Sequence, residues 1–374
     1  MNILVFSWRD TKHPLAGGAE QVVHQHAKGW ISAEHSVTHF SSRFSGSKRE
    51  EEVDGIKLIR GGYQYLGVQL AGFFYYLKNR NNFDVVVDEF HGLPFFTPLY
   101  VRKQKLAVIQ ETAGKVWFLN PLPKPLNWII GLLGYLSEPL VFLIYRNVTF
   151  VTGSVSAKKD IVKFGIPERN IVVIPHGVLL SEKKISVKKN EIKTIVYLGI
   201  LSKDKGIEDV LKSFFILNKK GKFNFWVIGK PETNNYRERI DKLIRKFNLE
   251  RKIKFWGYVN QEKKFELLSR AQILVNPSVR EGWGLVNIEA NAVGTPVVAY
   301  NVAGIVDSVK NGVSGIICKR NNARELAENV VRILNDERLY KKLQTGSLSW
   351  SKRFSWDRSR KLSLNLIKRL SNAH

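Results

Sequence analysis

Short runs of aliphatic and β-branched residues alternate along the chain with longer amphipathic stretches. In the first half, the short runs predict strands at residues 2–7, 37–41, 84–88, 106–110 and 149–152. The second half repeats the pattern, with predicted strands at residues 193–198, 224–229, 253–255, 272–275, 296–299 and 315–318. Strands that alternate with helical patterns are typical of doubly wound parallel sheets. The sequence therefore predicts an α/β protein with two such sheets in series.

The length favours two domains, because 374 residues exceed the roughly 250 to 300 at which a single core stops growing. A polar, lysine-rich stretch at residues 179–191 follows a predicted strand at 171–174 and is the candidate linker. We expect an N-terminal domain at residues 1–180 and a second domain at 181–355. Helices are predicted at 323–335, 337–345 and 358–370, and segment 356–374 is expected to pack back on the first domain.

The charge balance indicates an anionic partner. The chain has 59 Lys and Arg against 33 Asp and Glu, a formal net charge of +26. So large an excess attracts anionic membranes, nucleic acids or phosphorylated substrates. The only cysteine, Cys318, excludes a disulfide framework and favours a cytoplasmic location, and residues 1–7 lack the pattern of a secretory signal. No Asp-x-Asp pair and no His or Cys cluster is present, so we expect neither a metal site nor a resident cofactor.

Residues 126–145 form the most apolar stretch of the chain. Gly131, Gly134, Glu138 and Pro139 interrupt it, so it falls short of the roughly 20 uninterrupted apolar residues that span a bilayer. A helix lying against a membrane and a helix of the core are both compatible with this pattern.

The most specific motif is the segment E-G-W-G-L-V-N-I-E at residues 281–289. It follows a predicted strand and leads into a short helix that starts near Leu285. Backbone N–H groups at the first turn of a helix attract anions, and Gly282 and Gly284 leave them accessible. Glu281 is placed to accept hydrogen bonds from sugar hydroxyls, and Glu289 to accept them from a ribose. The pattern predicts a phosphate-binding strand, loop and helix.

This motif resembles the hallmark of glycosyltransferase family 4, in which two glutamates are separated by seven residues. The resemblance extends over nearly the whole chain. It implies the GT-B fold, with two Rossmann-like domains facing a cleft. It also implies a retaining transfer of a sugar from a UDP- or GDP-sugar to a glycan acceptor, without a metal ion.

The family pattern assigns roles to individual residues. Glycines before the first helix and a lysine in the 199–206 loop would hold the donor diphosphate, and the backbone around Gly257 and Tyr258 would contact the base. Ile200 stands where the family usually has an arginine, and Lys203 and Arg280 are the candidates to replace it. The donor-binding residues implied in this way are Gly17, Gly18, Lys205, Tyr258, Glu281, Gly282, Trp283, Gly284, Leu285 and Glu289.

Acidic and histidine side chains follow two predicted strands of the first domain, where relatives often carry histidines. Ligand groups in open α/β sheets are expected at such strand ends. Glu89, Glu281 and Lys205 are the predicted catalytic residues, and His91, Glu111 and Trp117 the predicted acceptor contacts. Aromatic and basic residues in this domain suit a polyprenyl-phosphate-linked acceptor, and hence peripheral contact with an anionic membrane at the cytoplasmic face.

Two alternatives remain open from the sequence. The basic composition is compatible with a nucleic-acid-binding protein, although this would not explain the two glutamates or the glycine loops. Another GT-B enzyme, such as a nucleotide-sugar epimerase or a phosphorylase, would share the donor site. A dehydrogenase is poorly supported, because no Gly-x-Gly-x-x-Gly segment follows the first strand.

Overall fold

The computed structural model describes residues 1–64, 66–90, 92–120, 122–178 and 189–372. Of Leu66 it describes the backbone alone. The chain forms two compact units. The first comprises Met1–Phe118, Lys124–Gly177 and Trp356–His374, and the second comprises Leu119–Pro123 and Val178–Ser355. Most of the predicted linker, residues 179–188, and the predicted boundary at 180/181 lie outside the described residues.

The first unit is built on a sheet with strand order β3-β4-β2-β1-β5-β6-β7-β8, in which only β3 and β4 pair antiparallel. Short 3-10 turns occupy Arg80–Asn82, Thr97–Leu99, Gly114–Leu119 and Glu168–Asn170. The other elements are β1 (Asn2–Phe6), α1 (Gly18–Ile31), β2 (Ser36–Arg43), β3 (Glu50–Val53), β4 (Ile56–Tyr63), α2 (Leu66–Asn79), β5 (Val85–Phe90), β6 (Gln104–Ile109), α3 (Leu126–Ile144), β7 (Thr149–Thr152), α4 (Val155–Lys163) and β8 (Ile171–Val173).

The antiparallel hairpin β3–β4 is the part of this sheet that the hydrophobic pattern missed. Its first strand reads Glu-Glu-Glu-Val, which has neither the apolar alternation nor the β-branched content of a half-buried strand. The local signal was the turn. Asp54 and Gly55 have φ of 53° and 78°, the two positive values of a tight hairpin turn, and Asp-Gly is a favoured sequence for it.

The second unit repeats the architecture with a parallel sheet of order β11-β10-β9-β12-β13-β14. Apolar side chains pack on both faces of this sheet, and on one face Phe214 from the helix after β9 stacks on Phe225. The elements are β9 (Thr194–Leu198), α5 (Ile207–Asn218), β10 (Asn224–Ile228), α6 (Asn234–Lys246), β11 (Ile253–Gly257), α7 (Gln261–Arg270), β12 (Ile273–Asn276), α8 (Leu285–Ala292), β13 (Val297–Ala299), α9 (Ile305–Ser308), β14 (Gly315–Ile317), α10 (Ala323–Asn335) and α11 (Glu337–Ser351).

Alternate residues along the first unit's strands point to opposite faces of its sheet. One face, with Ile3, Val5 and Val87, packs against Trp30 of α1 and the chain's last helix, α12 (Trp356–Ser371). The opposite face carries α2 over β1, β2 and β4, and α3 over β6 and β7. Helices α2 and α3 therefore cover the same face of the sheet.

Helix α12 is held on the first unit by polar contacts in a buried setting. The Trp30 indole donates to Ser363 Oγ at 3.0 Å, and His26 Nε2 lies 3.1 Å from Ser359 Oγ. The His176 ring lies parallel to the Trp356 ring at 6.3 Å. Burial lowers the pKa of His26 to about 4 and the pKa of His176 to about 3. Both rings are therefore neutral in the native state near pH 7.

This arrangement predicts acid-sensitive stability. Between the unfolded pKa of about 6.5 and the folded pKa of about 4, unfolded His26 binds a proton that the folded form does not. Its contribution to the free energy of unfolding should be complete above pH 6.5 and fall by about 1.4 kcal/mol per pH unit towards pH 4. Chemical denaturation between these values should give a shallower slope for His26→Gln than for wild type. Equal slopes would contradict the assignment.

Candidate functional site

The loop between β12 and α8 is fixed at both ends by buried amides. Asn276 Nδ2 donates to Asn287 Oδ1 at 2.9 Å, and Asn287 Nδ2 donates to Ser308 Oγ at 2.9 Å. Gly284, with φ of 79°, begins α8 in a left-handed conformation that favours glycine. The loop therefore delivers Glu281 and Gly282 to the N-terminus of a helix, as the sequence predicted, although β12 begins and ends one residue later than expected.

Two further loops pack directly on this one because glycines permit it. A Cβ at Gly206 would overlap with the Pro277 carbonyl, and one at Gly304 would overlap with the Glu281 carbonyl. The Val279 N–H also donates to the Asp204 carbonyl at 2.9 Å. The 199–206 loop, the 277–284 loop and the turn at Gly304 thus form one layer at the carboxyl ends of β9, β12 and β13.

The close packing brings two predicted catalytic residues together. Lys205 Nζ lies 3.1 Å from Glu281 Oε2, with the two side chains 25% and 21% exposed. These residues are 76 positions apart in sequence, and the pair lies near the first turn of α8. A cation and the positive end of a helix dipole are therefore available to an anion here, beside a carboxylate that can accept hydrogen bonds from hydroxyls.

Glu289 lies further along α8 and has a partner that the sequence analysis missed. Lys264 Nζ of α7 contacts Glu289 Oε1 at 2.5 Å, and the Glu289 side chain is only 7% exposed. The two residues are 25 positions apart, so no local pattern connects them. The ion pair fixes the orientation of the Glu289 carboxylate.

The remaining predicted donor-binding residues differ in how much of their side chains a ligand could contact. The Trp283 ring is buried and packs edge-on against Phe354 at 5.1 Å, so an external ligand would meet its backbone and not its indole. Leu285, the first residue of α8, is half-buried. The Tyr258 ring is 75% exposed, with Lys230 Nζ 5.4 Å from its centre.

The position of the missing family arginine is apolar. Ile200 is 39% exposed, and its carbonyl accepts a hydrogen bond from the Tyr197 hydroxyl at 2.8 Å. Of the two candidates to replace the arginine, Lys203 is exposed in the same loop and Arg280 is half-buried beside Glu281. Their role stays a prediction.

In the first unit, the glycine pair lies at the start of α1 as predicted, but one donor is already used. The Gly17 N–H donates to Glu20 Oε2 at 2.7 Å, and Arg9 Nε pairs with Glu20 Oε1 at 2.7 Å. Gly17 and Gly18 are both exposed. A ligand phosphate could therefore accept hydrogen bonds from the backbone N–H groups from Gly18 onwards, whereas the Gly17 N–H is capped by the Glu20 carboxylate.

Glu89, a predicted catalytic residue, lies beneath the surface. It is the second-to-last residue of strand β5, its side chain is fully buried, and it lies within electrostatic reach of His39 on β2. Burial lowers the pKa of His39, while the Asp10 and Glu89 carboxylates oppose this shift. Arg60 holds Asp10 with two hydrogen bonds of 2.6 and 3.0 Å. In this conformation Glu89 is part of a buried charged cluster and presents no surface to a substrate.

The predicted acceptor contacts follow β5 and β6. Glu111 is half-buried two residues after β6, and His91 lies outside the described residues. The Trp117 indole is half-buried and donates to Glu138 Oε2 of α3 at 3.2 Å. A Cβ at Gly134 would overlap with the Trp117 ring, so this ring lies directly on α3. Over the described ranges, no group of three His, Cys, Asp or Glu side chains could hold a metal ion.

Family models match both halves of the chain. Residues 16–182 match the model of Glycosyltransferase Family 4, and residues 180–349 match the model of Glycosyl transferases group 1. The capsular polysaccharide biosynthesis glycosyltransferase CapM of Staphylococcus aureus is 35% identical over 159 residues, covering 42% of this chain and 41% of that protein. An uncharacterized glycosyltransferase of Methanocaldococcus jannaschii is 28% identical over 239 residues, covering 60% of each chain. The matches thus span less than two thirds of these relatives.

Solved structures show the same fold. A sucrose-phosphate synthase from Thermosynechococcus elongatus superposes with a TM-score of 0.82 at 20% identity, covering 100% of both chains. HepE of Anabaena, solved with UDP-glucose, superposes with a TM-score of 0.75 at 16% identity, covering 99% of this chain and 100% of its own. The two parallel-sheet units are those of the GT-B fold. With both halves matched by family models, the chain is a member of glycosyltransferase family 4.

Proposed function

We propose that the enzyme transfers a sugar from a UDP- or GDP-sugar to a glycan or polyprenyl-phosphate-linked acceptor, with retention of configuration and without a metal ion. The observation that carries this proposal is the Lys205–Glu281 pair at the first turn of α8. A nucleotide sugar offers both a diphosphate and sugar hydroxyls, and this pair provides one group for each.

The mechanism follows from the charges. As the bond from the anomeric carbon to the diphosphate breaks, negative charge builds up on the departing oxygen. Lys205 and the N–H groups at the start of α8 would stabilise that charge, a role that a divalent cation has in other enzymes. The Lys205 ammonium would exchange its contact with Glu281 for the diphosphate, and Glu281 would then accept from a sugar hydroxyl.

Retention requires the acceptor to attack from the side that the diphosphate leaves. Glu281 and Glu289 would both contact the donor, and neither is assigned the part of a nucleophile on the opposite face of the sugar. An oxocarbenium-like transition state, with the acceptor hydroxyl activated by the departing diphosphate, meets this requirement. The acceptor would contact the first unit around Glu111, and the half-buried Trp117 would shape that surface.

Glu289→Ala should weaken binding of the cognate nucleotide sugar about 100-fold, because a charged acceptor of ribose hydroxyl hydrogen bonds is lost. Calorimetry with a panel of UDP- and GDP-sugars measures this loss and identifies the donor. Glu266→Ala, which removes a half-buried carboxylate from neighbouring α7, is the matched control and should bind as wild type. Equal affinity of Glu289→Ala and wild type for every donor would contradict the ribose assignment.

Lys205→Ala should lower kcat by about 100-fold to 1000-fold, since it removes a cation that stabilises the leaving diphosphate. Lys205→Arg keeps the charge and should retain more activity. Lys212→Ala, which removes a lysine from the exposed side of α5, should leave kcat unchanged. If Lys205→Ala raises only KM, the lysine binds the donor without acting on the transition state.

Chelation should leave the transfer rate unchanged within about twofold, because Lys205 and the helix N-terminus provide the positive charge. Turnover of the identified donor is measured with EDTA and with added Mg²⁺ or Mn²⁺, and the anomeric configuration of the product is read by NMR. Activity that EDTA abolishes and Mg²⁺ restores would overturn metal independence. Release of a free epimer, or turnover that depends on phosphate, would favour an epimerase or a phosphorylase.

A further inference from the structure

Helix α3 carries a wide apolar surface that the protein itself leaves uncovered. Its buried residues, Gly131, Gly134, Glu138, Val141 and Phe142, share one side. At 100° per residue that side covers about 100° of the helix circumference, and exposed residues cover about 220°. The exposed large apolar side chains are Leu126, Trp128, Ile129, Ile130, Leu132, Leu133, Tyr135, Leu136, Leu140 and Leu143.

The same face of the sheet exposes a second apolar stripe. Leu70, Phe74 and Leu77 of α2, spaced as neighbours along one side of the helix, are all exposed. Leu99 is exposed as well. It directly precedes Tyr100, whose ring centre lies 4.9 Å from that of Phe73 in α2. Exposed apolar surface of this extent marks an interaction site. We call α3, together with this stripe, the apolar face of the first unit.

Exposed cations flank the apolar face. Lys124 and Arg146 stand two residues before and after α3, and Lys115 lies in the turn that packs on it. Other exposed cations are Lys78 in the last turn of α2, Arg80 directly after this helix, and Arg102 and Lys103 after the Thr97–Leu99 turn. In residues 66–147, apart from positions 91 and 121, Asp84 is the only exposed acidic side chain. The border is therefore strongly cationic.

We propose that the apolar face of the first unit docks on an anionic phospholipid bilayer, with α3 lying in the interface. Apolar side chains enter the acyl boundary, and the flanking Lys and Arg contact lipid phosphates. Trp128 and Tyr135 are residue types enriched at that depth. An apolar arc of about 220° is much wider than the two-in-seven seam by which helices pair. A second copy of the chain would also bring the same cationic border, and like charges repel.

Helix α3 lies on the bilayer and does not cross it. Among the described residues, α3 is the helix with the length and composition of a membrane span. However, its buried side is bonded to the protein: Glu138 accepts hydrogen bonds from the Ala113 N–H at 2.6 Å and the Gly114 N–H at 2.7 Å. A Cβ at Gly131 would approach Phe118 to 2.7 Å, so this side is closely packed as well.

Glu138 also connects the docked helix to the predicted acceptor surface. Its carboxylate holds the backbone at residues 113 and 114 and the Trp117 indole, in the segment that follows Glu111. Membrane docking would thus place this segment at the height of lipid headgroups, within reach of a lipid-linked acceptor. This connection rests on the proposed function, whereas the docking itself does not.

Site-specific fluorescence tests the docking, because the chain has one native cysteine and it is buried. Burial raises the pKa of the Cys318 thiol to about 11, so it reacts poorly with maleimides near pH 7. Leu136→Cys places an environment-sensitive dye on α3, and Leu362→Cys places it on α12, which packs on the opposite face of the sheet. Phosphatidylcholine vesicles with about 30% phosphatidylglycerol should shift the emission to the blue only for the label at position 136.

A flotation assay with the same vesicles gives the energetic test. Leu133→Asp with Leu136→Asp replaces two side chains that are 60% and 61% exposed, so the fold should be retained, as circular dichroism will check. The partition coefficient should fall at least tenfold, since charge replaces apolar area at the interface. Ile192→Asp with Leu362→Asp, exposed apolar positions elsewhere, is the matched control and should float as wild type.

Equal flotation of the α3 variant and wild type would overturn the docking surface. So would a wild type that ignores vesicles and forms dimers in light scattering that the α3 variant abolishes, since the occupant would then be a second copy. Nucleotide-sugar binding by calorimetry is measured on the same variants and should be unchanged. Flotation without donor binding would refute the proposed function alone, and donor binding without flotation would refute the docking alone.

Discussion

The second unit depends on how closely three loops can approach one another. Each loop leaves the carboxyl end of a different strand, and two of them press backbone against backbone where Gly206 and Gly304 have no Cβ. Any side chain at either place would push the loops apart. The distance between Lys205 and Glu281, and their position near the first turn of α8, follow from this contact. The distance between the two charged groups thus depends on the absence of a Cβ at Gly206 and Gly304.

Much of this site could be predicted because its information is local. The glycines, Glu281 and Glu289 lie within one strand, loop and helix, and the spacing alone indicates what each can face. Lys264 could not be predicted, because it reaches Glu289 from another helix and only the packing of α7 and α8 brings them together. The buried indole of Trp283 was equally hidden, since its partner Phe354 is 71 residues away by sequence number.

The fold also combines features that the local sequence predicts with features that it does not. Apolar runs identified the parallel strands other than β4, because buried strands consist of apolar residues whatever surrounds them. Strand β3 lacks that pattern, and the local signal for the hairpin β3–β4 is the turn at Asp54 and Gly55. Glu89 is instructive in another way: its strand-end position was predicted correctly, but a strand end can face a buried charged cluster as well as solvent, and sequence does not distinguish the two.

The contact between Lys205 and Glu281 has a consequence for which ligands the site retains. A nucleoside diphosphate alone can attract the lysine, but it then leaves the glutamate without its cation and offers it no hydroxyls of the transferred sugar. In the proposed reaction, an intact nucleotide sugar would satisfy both groups at once. After transfer, the spent nucleotide would have lost the part that compensated Glu281, so the lysine could return to the carboxylate. The ion pair would thereby compete with the product and favour its release before the next cycle.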